Sequence, residues 1–158
     1  MNLKDMVLGA ITLVLVAVTL ALGTHGFTSN RLPLLQPYAP EPPEGAGSIS
    51  LSEARELLDD AGVVFIDARE REKYEAGHIP GAVHLPPEQA EAMQDRSLLS
   101  LTVARRIVVY CDGPHCGASR KLARRLLQAR IMNIAIMPEG WPGWEQAGHP
   151  VVLPEEGS

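Results

Sequence analysis

The sequence has little of several things, and each scarcity excludes a class of protein. Two cysteines in 158 residues are too few for a disulfide-rich scaffold. The balance of 14 Lys and Arg against 19 Asp and Glu, with no basic tail, argues against a dedicated nucleic-acid binder, so we expect no nucleic-acid partner. No Gly-x-Gly-x-x-Gly and no phosphate-loop lysine motif is present, and no cofactor is expected. The length excludes two large domains.

Charge is absent from a long stretch near the amino terminus. Residues 6–24 are uncharged and mostly Val, Leu, Ile and Ala, and a bilayer-spanning helix needs about 20 apolar residues. We therefore predict a transmembrane signal anchor in residues 1–24. Ala21-Leu22-Gly23 is also a passable cleavage site, and cleavage would release the protein.

The few charges around this segment predict its orientation. Lys4 and the α-amine precede it and Arg31 follows it, which weakly favours an amino terminus on the cytoplasmic side. The rest of the chain would then lie outside the cytoplasm, in the periplasm and held at the inner membrane if the source is bacterial. Residues 25–47 are rich in proline and predict a semi-rigid linker.

Residues 48–158 predict one α/β domain with a mainly parallel central sheet flanked by helices, because strand-like and helix-like segments alternate. Ser50 and Glu53 form a capping box that begins a helix. Short β-rich runs at 63–66, 82–85, 106–110 and 133–137 predict strands. Segments 70–76, 88–101, 118–130 and 144–147 predict the remaining helices.

Cys111 follows the clearest strand and precedes the clearest helix across a turn-rich loop, residues 112–117. In parallel sheets ligands bind at the carboxyl ends of strands. The backbone N–H groups of a loop that enters a helix favour a thiolate and hold anions. We therefore predict that Cys111 is a catalytic nucleophile, with a buried structural cysteine as the alternative.

Four segments resemble single-domain rhodanese-like sulfurtransferases, in the order found in that family. They are Ile66-Asp67-Ala68-Arg69, Tyr74 to Ala82 with its Gly-His-Ile-Pro-Gly-Ala run, Val109-Tyr110-Cys111, and Gly140 to Val151. The resemblance covers residues 48–153. It implies a small rhodanese-like α/β fold and a cysteine persulfide that takes sulfur from a donor such as thiosulfate. A thiol or a cyanide-like ion would be the acceptor.

The loop departs from the usual Cys-x-x-x-x-Arg of that family, because Cys116 stands five residues after Cys111 and the next arginine is Arg120. It resembles a rhodanese subgroup in which a paired cysteine recurs. Three roles stay open for Cys116: a resolving or second thiol, packing beneath the loop, or a zinc ligand with Cys111 and His115. The zinc spacing matches no strong pattern, so we predict no metal site.

The substrate is expected to be a small anion, because residues 105–130 hold seven cations and one acidic residue, Asp112. The predicted substrate-binding residues lie in or beside the loop, except Arg69, which the resemblance places at the rim as an anion contact. They are Arg69, Gly113, His115, Gly117, Ser119 and Arg120. Asp67 and His78 are predicted to be structural residues near the site.

The sequence thus predicts an enzyme, a thiosulfate sulfurtransferase-like protein that works through a Cys111 persulfide. One alternative is a thiol–disulfide redox protein that uses Cys111 and Cys116. Another is a non-catalytic binding module with the same fold. Protein partners are not predictable from the sequence.

Overall fold

One five-stranded parallel sheet organises the carboxyl-terminal part of the chain. The computed structural model describes residues 2–27 and 40–154. Its strands are β1 (Gly47–Ser48), β2 (Val63–Asp67), β3 (Val83–His84), β4 (Arg106–Tyr110) and β5 (Ile134–Ile136). Their order across the sheet is β1-β5-β4-β2-β3, and every pairing is parallel. The predicted parallel α/β fold is therefore confirmed.

Helices connect the strands. They are α1 (Leu3–Phe27), α2 (Leu51–Glu56), α3 (Arg71–Ala76), α4 (Pro87–Ala92), α5 (Asp95–Leu98), α6 (Ala118–Gln128) and α7 (Gly140–Gln146), with a 3₁₀ segment at Leu99–Val103. The capping box is present, because Ser50 Oγ accepts from the Glu53 amide and Glu53 reaches back to the Ser50 amide.

Two hydrophobic clusters cover the two faces of the sheet. Alternate residues of β4 face opposite sides, so Ile107 and Val109 pack with Leu122 of α6 in one cluster. Val108 packs with Trp144 of α7 in the other. Cys111 continues the first set of alternate residues, and the strand therefore directs its side chain towards α6.

Three elements differ most from those predicted. The helix expected over 88–101 is broken into α4, α5 and the 3₁₀ segment, because Met93 and Gln94 are extended. The last helix begins at Gly140 instead of Trp144, and Pro142 is tolerated in its first turn, where no amide partner is needed. Strand β1 was not predicted, since Gly-Ser carries no hydrophobic pattern.

The chain divides into two compact units, and the first contains α1, a helix of 25 residues. Over the residues that the structure describes, no helix meets the combined length and apolar character needed for a membrane crossing. The membrane anchor predicted for residues 6–24 is therefore not supported. The linker predicted over 25–47 falls largely on residues 28–39, which lie outside the described residues.

Candidate active site

The carboxyl ends of neighbouring strands bring the predicted site residues to one edge of the sheet. Asp67 ends β2, Cys111 follows β4, and Met137 follows β5. The registers of the parallel strand pairs align the ends of these strands. Asp67 pairs with Tyr110, and the Met137 amide donates to the Val109 carbonyl at 3.0 Å. The edge predicted from the order of the strands is therefore present.

Cys111 is nearly enclosed, with 2% of its surface exposed. Its Sγ lies 3.3 Å from the Oγ of Ser119, a buried residue in the first turn of α6. The Ser119 hydroxyl and amide both act to lower the pKa of the Cys111 thiol. These two contacts act against the larger effects that raise the pKa of Cys111.

Cys111 and Cys116 are both free thiols, and the Cys111 sulfur lies 3.7 Å from the Cys116 carbonyl oxygen. A hydrogen bond between the two thiols and burial together raise the pKa of the Cys111 thiol, against the lowering effect of Ser119. The same bond lowers the pKa of Cys116 to about 6, assisted by the amides of Ala118 and Asp112 and opposed by burial. Cys116 is therefore the more acidic thiol of the pair.

The loop folds back on itself to bring the two cysteines together. Gly113 has a φ of +104°, a left-handed conformation that glycine adopts without a Cβ clash. The Cys116 amide then donates to the Gly113 carbonyl at 3.1 Å. The Sγ of Cys111 lies 3.7 Å from the carbonyl oxygen of Cys116. The turn thus places residue 116 over residue 111.

The start of α7 fixes the backbone of this loop. The Trp141 amide donates to the Cys111 carbonyl at 2.8 Å. Gly140 has a φ of +59°, and a Cβ there would lie 2.2 Å from the Cys111 oxygen and 2.5 Å from the Gly113 nitrogen. Only a residue without a side chain allows this close approach.

Arg69 is a buried residue with 4% of its surface exposed, and its guanidinium is held by Asp67. Its Nη2 lies 2.6 Å from Asp67 Oδ2 and donates to the Gly77 carbonyl at 2.6 Å. The guanidinium carbon lies 4.6 Å from the centroid of the Trp141 ring. Burial lowers the pKa of Arg69, but the hydrogen bond and charge of Asp67 offset this, so the pKa is raised. These contacts hold the rim together, and the predicted anion contact of Arg69 stays a prediction.

His78 lies in the turn that precedes β3. Its Nδ1 is 2.9 Å from the Tyr74 carbonyl, and its ring stacks on the Tyr74 ring at 4.0 Å. Its backbone forms an antiparallel bridge with Val152. These contacts tie the turn to α3 and to the residues after α7, and the structural role of His78 stays a prediction. His115, by contrast, is exposed at the tip of the loop.

A cavity of about 130 Å³, partly open to solvent, adjoins the loop. Gly113, Ser119 and Arg120 line it together with Pro40 and Pro42 of the linker. Three predicted substrate-binding residues therefore share one cavity. Gly117 is the N-cap of α6, the residue directly before the helix.

Two cations of the basic segment that lie on α6 have acidic partners. Lys121 pairs with Glu88 and Glu91, and Arg125 pairs with Asp95. Arg125 also donates to two backbone carbonyls of α4 and the residue after it, Ala90 and Met93. These two cations fix α4 and α5 to α6, so the positive charge left beside the loop is smaller than the sequence predicts.

Two residues at the site escaped the sequence analysis. Lys73 of α3 pairs with Asp112 of the loop at 2.6 Å, which raises the pKa of Lys73. No local pattern links residues 39 positions apart. Gly140 was noted only as part of a motif, and its contact with Cys111 depends on the pairing of β4 and β5. Among residues 2–27 and 40–154, no cluster of three or more His, Cys, Asp or Glu side chains is placed to hold a metal ion.

Comparison with known proteins gives a family match for this chain. The model of the family "Rhodanese-like domain" matches residues 50–147, more than half of the chain. The HTH-type transcriptional regulator Rv0324 of Mycobacterium tuberculosis is 35% identical over 69% of the chain. The match spans 45% of that regulator.

A second relative carries an enzyme name. Thiosulfate sulfurtransferase GlpE of Pseudoalteromonas translucida is 29% identical over 63% of the chain and 89% of its own length. Among solved structures, BH2092 of Bacillus halodurans superposes with a TM-score of 0.60, at 21% identity, over 68% of this chain and 77% of that one. At that identity the structural match shows the fold alone.

Proposed function

Because the chain belongs to the rhodanese-like domain family, we propose that it is a sulfurtransferase in which Cys111 carries a sulfane sulfur as a persulfide. The donor is thiosulfate or a persulfide, and the acceptor is a thiophilic molecule such as a thiol or cyanide. The name of the relative GlpE supports this choice of donor. No partner protein is part of this proposal.

The environment of the Cys111 sulfur is the observation that carries the proposal. The sulfur stands at the carboxyl end of the central strand, 3.3 Å from the Ser119 hydroxyl and in hydrogen-bond contact with the Cys116 thiol. Ser119 donates to a negative sulfur, and Cys116 takes the proton that Cys111 must lose before it attacks. A nucleophile with an adjacent base is the arrangement that covalent catalysis requires.

The reaction forms one bond and breaks one. The Cys111 sulfur bonds to the outer sulfur of thiosulfate, the sulfur–sulfur bond of the donor breaks, and sulfite leaves with the electron pair. The Cys111 proton moves to Cys116. Arg120, in the cavity beside the loop, is the proposed contact for the sulfonate end of the donor.

An assay of sulfite released when the reduced chain is incubated with thiosulfate tests this function, with Cys111→Ser as the variant. We expect sulfite release in the wild type and its complete loss in Cys111→Ser. Sulfite release that survives Cys111→Ser would overturn the assignment of Cys111. Gly148→Ala, at an exposed turn away from the loop, serves as a matched control for handling and folding.

The thiol pair also favours a second candidate function, a thiol–disulfide redox protein. The two thiols are in contact, and the more exposed one has the lower pKa, a combination suited to disulfide exchange. This candidate predicts that a disulfide substrate oxidises the pair while thiosulfate releases no sulfite. The sulfite measurement therefore separates the two functions.

The location of the domain is a separate proposal, namely attachment at a membrane with the domain outside the cytoplasm. The uncharged run over residues 6–24 and Lys4 before it are its support. Carboxyl-terminal fusions to alkaline phosphatase and to a fluorescent protein test it, since the first is active only outside the cytoplasm. An active phosphatase fusion that resists alkaline extraction from membranes is the expected result, and a soluble, inactive fusion would refute it.

A further inference from the structure

Cys116 has more contacts than the sulfur-loading step uses. Taking one proton from Cys111 requires only a base, yet this base is itself a thiol, and its residue lies against the Cys111 sulfur, 3.7 Å from its carbonyl oxygen. It is half-buried, whereas Cys111 is almost fully enclosed. Once Cys111 carries an extra sulfur, a second thiol beside it has a further reaction open to it.

We propose that Cys116 resolves the Cys111 persulfide, so that the domain releases the sulfane sulfur as hydrosulfide and ends the step with a Cys111–Cys116 disulfide. The inference rests on the proposed function, because it starts from a loaded Cys111. It changes the product class, since the sulfur leaves reduced instead of passing to an acceptor. It also adds a co-substrate class, a dithiol reductant.

The geometry of the loop brings the resolving sulfur to the right atom. The turn at Gly113, closed by the Cys116 amide, holds residue 116 over residue 111. The Cys111 sulfur lies 3.7 Å from the Cys116 carbonyl oxygen, so the residue that carries the second thiol lies against it. A disulfide needs a sulfur–sulfur distance near 2.05 Å, and the resolving step therefore requires the two sulfurs to approach each other.

The resolving step balances without an external base. The Cys116 sulfur bonds to the Cys111 sulfur, and the sulfur–sulfur bond of the persulfide breaks. The proton that Cys116 took during loading leaves with the terminal sulfur as HS⁻. The sulfane sulfur gains two electrons, and the two cysteine sulfurs lose them.

The cycle closes through the exposed member of the pair. A dithiol reductant attacks the Cys116 sulfur, because Cys111 has only 2% of its surface exposed. Cys111 leaves as a thiol, and the second thiol of the reductant attacks the mixed disulfide and frees Cys116. The reductant becomes a disulfide, and the loop returns to two thiols. The overall reaction converts thiosulfate and a dithiol to sulfite, hydrosulfide and a disulfide.

A single turnover of the full chain tests the inference. The reduced protein is freed of reductant under anaerobic conditions and mixed with thiosulfate, with no acceptor present. Sulfite and trapped hydrosulfide are measured, and the intact mass of the protein is determined by mass spectrometry after acid quenching. Cys116→Ser and Cys116→Ala are treated in the same way over a longer incubation, because both lack the base that assists loading.

We expect the wild type to release sulfite and hydrosulfide in equal amounts and to lose two hydrogen atoms in mass. Both Cys116 variants should release sulfite without hydrosulfide and gain one sulfur atom, which also shows that they fold. A wild type that keeps the added sulfur as the variants do, and releases no hydrosulfide, would overturn the inference and leave the proposed function intact. Absence of sulfite in every protein would overturn the proposed function itself.

Discussion

The amide of Trp141 donates a hydrogen bond to the carbonyl oxygen of Cys111 at 2.8 Å, so the last helix is tied directly to the backbone of the cysteine loop. Gly140 makes this contact possible, because a Cβ there would lie 2.2 Å from the same oxygen. The shape of the loop therefore depends on a residue about 30 positions further along the chain.

Gly140→Ala should lower both stability and sulfur loading. An alanine at this left-handed position costs roughly 1–3 kcal/mol in backbone strain alone, and its Cβ would lie 2.2 Å from the Cys111 oxygen and force the loop to move. Denaturant unfolding and sulfite release measure the two effects. Gly148→Ala is the matched control, since Gly148 is also left-handed but has open space around it. Equal loading by both variants would contradict the prediction.

Ser119→Ala should slow sulfur loading about tenfold or more. The Ser119 hydroxyl lies 3.3 Å from the Cys111 sulfur, and a hydrogen bond to a charged group contributes roughly 1.5–3 kcal/mol, where about 1.4 kcal/mol corresponds to tenfold. Its loss also raises the pKa of Cys111 further, so the rate should respond to higher pH. Ser119→Thr, which keeps the hydroxyl, should recover most of the rate. An unchanged pH profile in Ser119→Ala would refute this role.

Alkylation by iodoacetamide should report one thiolate at mildly acidic pH. The pKa of Cys116 is lowered to about 6, first by the hydrogen bond from Cys111. The alkylation rate should therefore rise as the pH increases, with a midpoint near pH 6. In Cys111→Ala the midpoint should move up towards that of free cysteine, because the donor is gone. In Cys116→Ala the low midpoint should vanish, and its persistence would show that Cys111 carries the charge.

Arg69→Met should destabilise the fold strongly. It leaves the Asp67 carboxylate buried without its partner, and breaking a buried ion pair costs about 3–5 kcal/mol. The double variant Asp67→Asn with Arg69→Met should recover part of this loss in denaturant unfolding. The same variants test the anion contact predicted for Arg69. If that contact exists, the folded double variant will require more thiosulfate for half-maximal rate.

Local patterns in the sequence were sufficient to predict much of the fold. The strand 106–110, the helix after it and the capping box at Ser50 each depend on neighbouring residues, and each is present. The placement of Cys111 at a strand end followed from the same reasoning. Its contact with Ser119 joins two residues of one loop and helix start, so a short segment contains the information.

Features set by distant contacts were not predictable. The Lys73–Asp112 pair and the Gly140 contact require the sheet to be assembled first. The basic segment around the loop suggested a strong positive field, but the sequence does not show that Lys121 and Arg125 meet acidic residues of α4 and α5. The lowered pKa of Cys116 depends on a turn whose shape the sequence does not specify.

The dependence of the loop on α7 has a consequence for the newly made chain. Synthesis from the amino terminus delivers both cysteines before β5 and α7, the elements that pair with β4 and fix the Cys111 carbonyl. During this interval the core around Cys111 lacks Ile134 and Ile136 of β5, and the Cys111 carbonyl has no Trp141 amide to accept from. The loop that carries both cysteines therefore takes its final shape only after the last helix has been made.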